Sequence, residues 1–297
     1  MEERTMITLT NDQLTVQVDE LGAQLHSIKR HGDSREYLWQ GDPASWGRQA
    51  PILFPFVGRL KDDQYVFAGR RYHQTQHGFA RDRRFSVISQ QADRVTFEQH
   101  DDAQTRQAFP FAFRLEVTIA LVDDQVAVTY MVVNTSTDRS LIYAIGAHPG
   151  FNMPLTAGAA FDQVQLSVKP AEEYSRIVLR GPYNDSNHPQ LIDMHQPLTI
   201  NHATFKNDAV IFKTAGSDFA ATLTDPAGQH GVTVSTVGTQ YVGVWSAYPA
   251  TANFVCVEPW WGIADNLNAD GQLLHKQDMH RLAPQQSAQY RFSIRPF

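Results

Sequence analysis

The sequence predicts an all-β protein, a large antiparallel β-sandwich, on three observations. Apolar and polar residues alternate in short runs along most of the chain, turn signals separate the runs, and no window of ten or more residues keeps a 3.6-residue apolar period. Without crossover helices a parallel sheet has no means of connecting its strands, so antiparallel pairing remains.

The strands follow in order. "QLTVQV" and "QLHSIKR" open the chain, "RVTFEQ", "FRLEVTIAL" and "QVAVTYMVV" occupy its first half, and "VQLSV", "FAATLTD", "GVTVSTV" and "QYRFSI" its second. Each places every second side chain on one face. Ala68-Gly69, Asp123-Asp124 and Asp225-Pro226-Ala227-Gly228 each sit between two such runs and read as hairpin connections. The longest turn-rich segment is 180–198, with strands on both sides and no low-complexity linker, so residues 1–297 read as one domain.

Composition excludes several classes of function. With 297 residues, 42% hydrophobic and 19% charged, the chain is long enough for a large core. A net charge of -6, from 31 acidic and 25 basic residues, offers no basic field for a phosphate backbone, so no nucleic acid partner is expected. "MEERTMITLTNDQ" lacks the pattern of a secretory signal, and nothing approaches the roughly 18 apolar residues of a membrane span, so the protein is expected in the cytoplasm and off the membrane. The single cysteine, Cys256, excludes an internal disulfide and a cysteine-based zinc cluster. Nothing in the chain fixes an oligomeric state.

Four places interrupt the alternation with costly polar chemistry: "PILFPFVGR" ending in Arg59, "QHGFARDRRF" with His77 and Arg81, "LIYAIGAHPGFNMP" with His148, and "FVCVEPWW" with Glu258. In the third, Ile142, Ala144, Gly146 and His148 are expected on one face, tapering to small residues beside the imidazole, and Pro149-Gly150 ends the strand. In the fourth, Phe254, Cys256 and Glu258 share a face, so the carboxylate follows two apolar neighbours out of water and needs a donor, a cation or a proton. Pro259 cannot donate to a ladder, so this strand is expected to end there, at a cavity mouth or edge, with Trp260 and Trp261 beside the carboxylate. Aromatic faces next to a carboxylate suit a sugar ring. Moving a proton from one oxygen to another needs an acid and a base on opposite sides of the reacting atoms, and His with Glu is the natural pair near neutral pH.

The motifs "GRLKDDQYVFAGRRYHQTQHGFARD", "GAHPGFNMP", "FKNDAVIF" and "VGVWSAYPATANFVCVEPWWGIAD", in this order, resemble the aldose 1-epimerases, or galactose mutarotases, in their LacX-like branch. The resemblance runs over almost the whole chain. It implies a galactose mutarotase-like β-supersandwich acting on a small-molecule sugar at its concave face, with no cofactor and no required metal. It also implies roles: Glu258 takes the anomeric hydroxyl proton, His148 protonates the ring oxygen, His77 hydrogen-bonds near that oxygen, Arg59 contacts the sugar, and Asp208 grips its hydroxyls. Trp245 is a candidate for the sugar platform, although a tryptophan inside a strand is more often core. Asp208 has a rival in Asp265. Arg81 is expected to hold its loop through an ion pair with Asp82 or Glu258. His73 and His77, roughly 13 Å apart in an extended chain, cannot share a metal ion. Gly150 stands where many relatives carry an aromatic residue and is expected to open the pocket. A free hexose such as galactose or glucose is the expected substrate. A hexose 6-phosphate remains the alternative, because Arg59, Arg70, Arg71, Arg81, Arg83 and Arg84 could clamp a phosphate, and so does a non-catalytic carbohydrate-binding protein. A glycoside hydrolase ranks low, because a histidine stands where its second carboxylate would be.

Overall fold

In the computed structural model, which describes residues 6–297, strands dominate and the one α-helix among the described residues is the single turn Thr105–Ala108. Two large sheets carry the fold, and every pairing between their strands is antiparallel. The nine-stranded sheet runs Leu198–Ile200, Val164–Lys169, Phe219–Thr224, Gly231–Val237, Ser287–Pro296, Gln125–Val133, Arg114–Val122, Arg94–His100, Ser86–Gln90. The eight-stranded sheet runs Gln190–Asp193, Glu173–Ile177, Val210–Lys213, Tyr241–Trp245, Phe254–Trp261, Ile145–Ala147, Ile52–Leu53, with Gly150–Asn152 also paired to Phe254–Trp261. A smaller sheet of Met6–Thr10, Leu14–Asp19 and Gln24–Arg30 adds its apolar faces to the same core.

Hairpins form at the three expected turns. Ala68 and Gly69 both adopt positive φ between Gln64–Phe67 and Arg70–His73, as a two-residue turn matching strand twist requires. Asp123 does so between Arg114–Val122 and Gln125–Val133. Segment 180–198 is less irregular than its composition suggests, because Gln190–Asp193 pairs with Glu173–Ile177 as the last strand of its sheet.

The eight-stranded sheet is apolar on both faces, and this double burial creates the site. In Phe254–Trp261, where all eight residues are buried, Val255, Val257 and Trp261 join the main core with the nine-stranded sheet. Phe254, Cys256, Glu258 and Trp260 point the other way, toward two smaller apolar clusters. Tyr241–Trp245 divides likewise, with Val242 and Val244 in the core and Tyr241 and Trp245 on the far side. The expected face of Ile142, Ala144, Gly146 and His148 holds only from Ala144 onward. Leu141–Tyr143 pairs instead with His280–Leu282, and Ile142 joins the main core. Among the described residues no helix is long and apolar enough to cross a membrane.

Candidate active site

Strand register brings His148 and Glu258 together. Ile145–Ala147 pairs Gly146 with Trp260, and Gly150–Asn152 pairs Gly150 with Cys256. The same register carried through the gap between these two short strands sets His148 opposite Glu258. The Val257 N–H donates to the Pro149 carbonyl at 3.1 Å, so the neighbouring pair is of the non-hydrogen-bonded type, in which side chains approach most closely. His148 Nε2 accordingly lies 3.2 Å from Glu258 Oε2. The acid and base expected on opposite sides of the reacting atoms are in fact in contact.

Pro259 departs from expectation as well. The strand does not end there but continues to Trp261 in the middle of the sheet. The amide that proline lacks would face Ala147, the last residue of Ile145–Ala147, so the missing ladder bond falls at a break that already exists. Trp260 and Trp261 then separate: Trp260 borders the site, and Trp261 packs in the core against Tyr290 with ring centroids 5.2 Å apart. The Trp260 indole lies flat over two glycines on flanking strands. A Cβ at Gly243 would come within 2.9 Å of its ring, and one at Gly146 within 3.0 Å.

These side chains wall a cavity of about 730 Å³, within the range of small-molecule sites. His148, Glu258, His77, Arg59, Asp208 and Trp245, all singled out from sequence, line it together. Arg81 lines it too, donating to the Gln76 carbonyl at 2.6 Å and lying 3.7 Å from Asp82. Asp265 does not. It accepts from the Lys61 amide at 2.8 Å and from buried Lys276 at 2.9 Å, so it pins the chain behind Arg59. His73 is exposed on its hairpin, whereas His77 is buried with φ +69°.

Trp46, Arg48 and Gln76 also line the cavity and escaped the sequence reading. Trp46 stacks on the His148 imidazole, with ring centroids 4.8 Å apart and planes at 25°. Its position explains Gly150. A Cβ there would lie 2.8 Å from the Trp46 ring, so the glycine does not open the pocket but admits the indole that covers His148. Trp46 stands in "GDPASWGR", a turn-rich stretch with no periodicity, and only its aromatic type could have marked it.

Electrostatics follow from burial. Glu258 is 1% exposed, and an unpaired buried carboxylate costs several kcal/mol, more than burying a neighbouring valine returns. Loss of hydration raises its carboxyl well above the usual range, and the charge of Asp208 pushes the same way. His148 is 8% exposed, and burial lowers it to about 3, with Arg81 and Arg48 adding to the effect. Burial thus disfavours the charged form of each group, and in contact at 3.2 Å the two titrate as a coupled pair. His77 is held neutral by burial first and His148 second. The Gly58 N–H donates to its Nδ1 at 3.1 Å, which leaves the proton of the neutral ring on Nε2, where it faces the Gln76 side-chain amide at 3.2 Å.

Fold and cavity together set a buried imidazole–carboxylate pair at the wall of a small-molecule cavity in an antiparallel β-sandwich. Comparison with known proteins agrees. The aldose 1-epimerase family profile matches residues 5–295, and the chain belongs to that family, and so to the isomerases. The LacX protein of Lactococcus lactis subsp. lactis is 29% identical over 296 residues, covering 97% of this chain and 98% of its own. Among solved structures, a galactose mutarotase related enzyme from Lactobacillus acidophilus is 37% identical with a TM-score of 0.96, over 99% of this chain and 97% of that one. A galactose mutarotase-like protein from Lactobacillus casei is 32% identical with a TM-score of 0.89, over 99% and 100%.

Proposed function

We propose that this protein interconverts the α and β anomers of a free hexose such as galactose or glucose, with Glu258 as base and His148 as acid. The observation that carries the proposal is the 3.2 Å approach of His148 Nε2 to Glu258 Oε2 at the wall of a hexose-sized cavity. With a proton on His148, ionised Glu258 takes the proton from O1 as the C1–O5 bond breaks, and His148 delivers its proton to O5. The open-chain aldehyde turns about C1–C2. On closure O5 attacks the other carbonyl face, its proton returns to His148, and the new O1 recovers its proton from Glu258. Nothing is gained or lost by the enzyme over the cycle. His77, neutral, reaches the ring oxygen through Nε2 by exchanging its contact with the Gln76 side chain, and Trp245 and Trp260 supply faces for the C–H side of the sugar.

The cavity arginines favour an unphosphorylated substrate. Arg48 pairs with Asp82 at 2.9 Å and Arg59 with Asp63 at 3.0 Å, and Arg81 is held by Gln76, so each already has a partner. The test is NMR exchange between anomers of galactose, glucose and glucose 6-phosphate, measured side by side. Exchange of the free hexoses well above the buffer rate is expected. Exchange no faster than buffer for all three would leave a binding protein, and acceleration of the phosphate ester alone would reverse the substrate assignment.

A further inference from the structure

The mechanism leaves Cys256, the only cysteine in the chain, without a task, although its thiol is buried beside both reacting groups. One ligand atom from each of His148, Cys256 and Glu258 lies within 4.8 Å of the other two. We propose that these three residues form an inhibitory site for a borderline-soft divalent cation such as Zn²⁺, with the cavity supplying the remaining coordination position.

Geometry supports it first. Zinc bonds of about 2.0–2.3 Å put tetrahedral ligand atoms roughly 3.3–3.7 Å apart, so a metal would draw this set inward by about 1 Å. Cys256 and Glu258 stand two residues apart on one face of Phe254–Trp261, and His148 faces Glu258 from the adjoining strand, so the donors converge on a rigid part of the sheet. Nδ1 of His148 is buried with no hydrogen-bond partner, so the ring lacks the second-shell bond that most metal-ligating histidines carry, which suits a weak inhibitory site and not a resident metal.

Chemistry selects the ion. A thiolate, an imidazole and one carboxylate suit Zn²⁺ or Co²⁺ and not the all-oxygen preference of Mg²⁺ or Ca²⁺. Thiolate and carboxylate together carry two negative charges, which balance a dication where unbalanced charge is costly. Binding displaces the thiol proton, so affinity rises with pH. Asp208 assists the cation, and Arg48 and Arg81 oppose it, since all three line the same cavity. The site itself stands apart from any activity. Its inhibitory effect rests on the epimerase proposal, because the metal would occupy both groups that move protons.

The experiment titrates the untagged full chain with Co²⁺ at neutral pH and follows near-ultraviolet absorption. A thiolate-to-cobalt charge-transfer band saturating at one equivalent, and abolished by Zn²⁺, is expected. With one cysteine in the chain, no other residue can produce that band. Cys256→Ser should lose the band and retain turnover without added metal. Its inhibition by Zn²⁺ should weaken at least as much as on loss of a supporting residue, on the order of 100-fold. Absence of the band in the native chain, or equal zinc inhibition of native and Cys256→Ser proteins, overturns the proposal. The spectrum of the native chain decides even if the variant does not fold, and it forms whether or not the protein turns over hexoses.

Discussion

His148 and Glu258 behave as one chemical unit, and their substitution should show it. Glu258→Gln and His148→Asn should each slow anomer exchange by about 10²- to 10⁴-fold. The double variant should be little worse than the slower single one, because either change alone leaves the other group without its proton partner. Multiplicative losses in NMR exchange rates would show that the two act separately. Burial also ties His148 to stability. Its pKa is about 3 in the folded protein, against about 6.5 in an unfolded chain. Between those values the unfolded state binds the extra proton, so stability falls as pH drops from about 6.5 toward 3, by at most about 1.4 kcal/mol per pH unit. The raised Glu258 carboxyl acts in the opposite sense, favouring the fold at acid pH and losing that contribution as pH rises through its folded value. Urea midpoints of native and His148→Asn proteins, compared from neutral to acid pH, report the imidazole together with its coupling to Glu258. The native protein should lose ground to the variant on acidification, and parallel curves would show that the imidazole is not held neutral.

Strands show how the sequence encodes this site and where the encoding stops. Period-two alternation is a local signal, so the faces of Phe254–Trp261 and the three hairpin turns could be read directly. So could the costly polar residues, because a glutamate following Phe254 and Cys256 on one face stands out against its neighbours. Pro259 misled because its missing amide matters only through what lies opposite, and the break at Ala147 is a fact about another strand 112 positions earlier, counting from 259 to 147. Gly150 misled and Trp46 escaped for the same reason: one residue starts a strand, the other follows a turn, and only the folded chain puts the indole where a Cβ would have been. Gly243 belongs to this class of residue-to-strand fits. Gly243→Ala would press a methyl group to within 2.9 Å of Trp260 from the strand next to Glu258. Overpacking of this kind costs about 1–3 kcal/mol, and relief would come by moving the indole into the cavity. A lower urea midpoint with a raised KM for hexose is the expected outcome. A lower midpoint with unchanged kinetics would show that Trp260 is scaffold and not sugar platform.

At the scale of the whole molecule, the question is what the protein's field contributes to substrate capture. The chain carries a net charge of -6, while its cavity holds Arg48, Arg59 and Arg81 against Asp208 and Glu258, with Asp63 and Asp82 paired to the arginines. A neutral hexose feels neither the repulsive exterior nor the local cations at long range, so its encounter with the cavity is set by diffusion and fit alone. A hexose phosphate would feel both, and its capture would change as salt screens them. From about 10 mM to about 1 M ionic strength the Debye length falls from roughly 30 to 3 Å. For galactose, kcat/KM measured by anomer exchange over that range should stay level, because no charge on the substrate is there to be screened. A several-fold fall with glucose 6-phosphate, turned over faster than galactose at low salt, would mean that the arginines read a negative group on the true substrate, and the ion pairs that satisfy them in the free protein would then be the contacts that open when it binds.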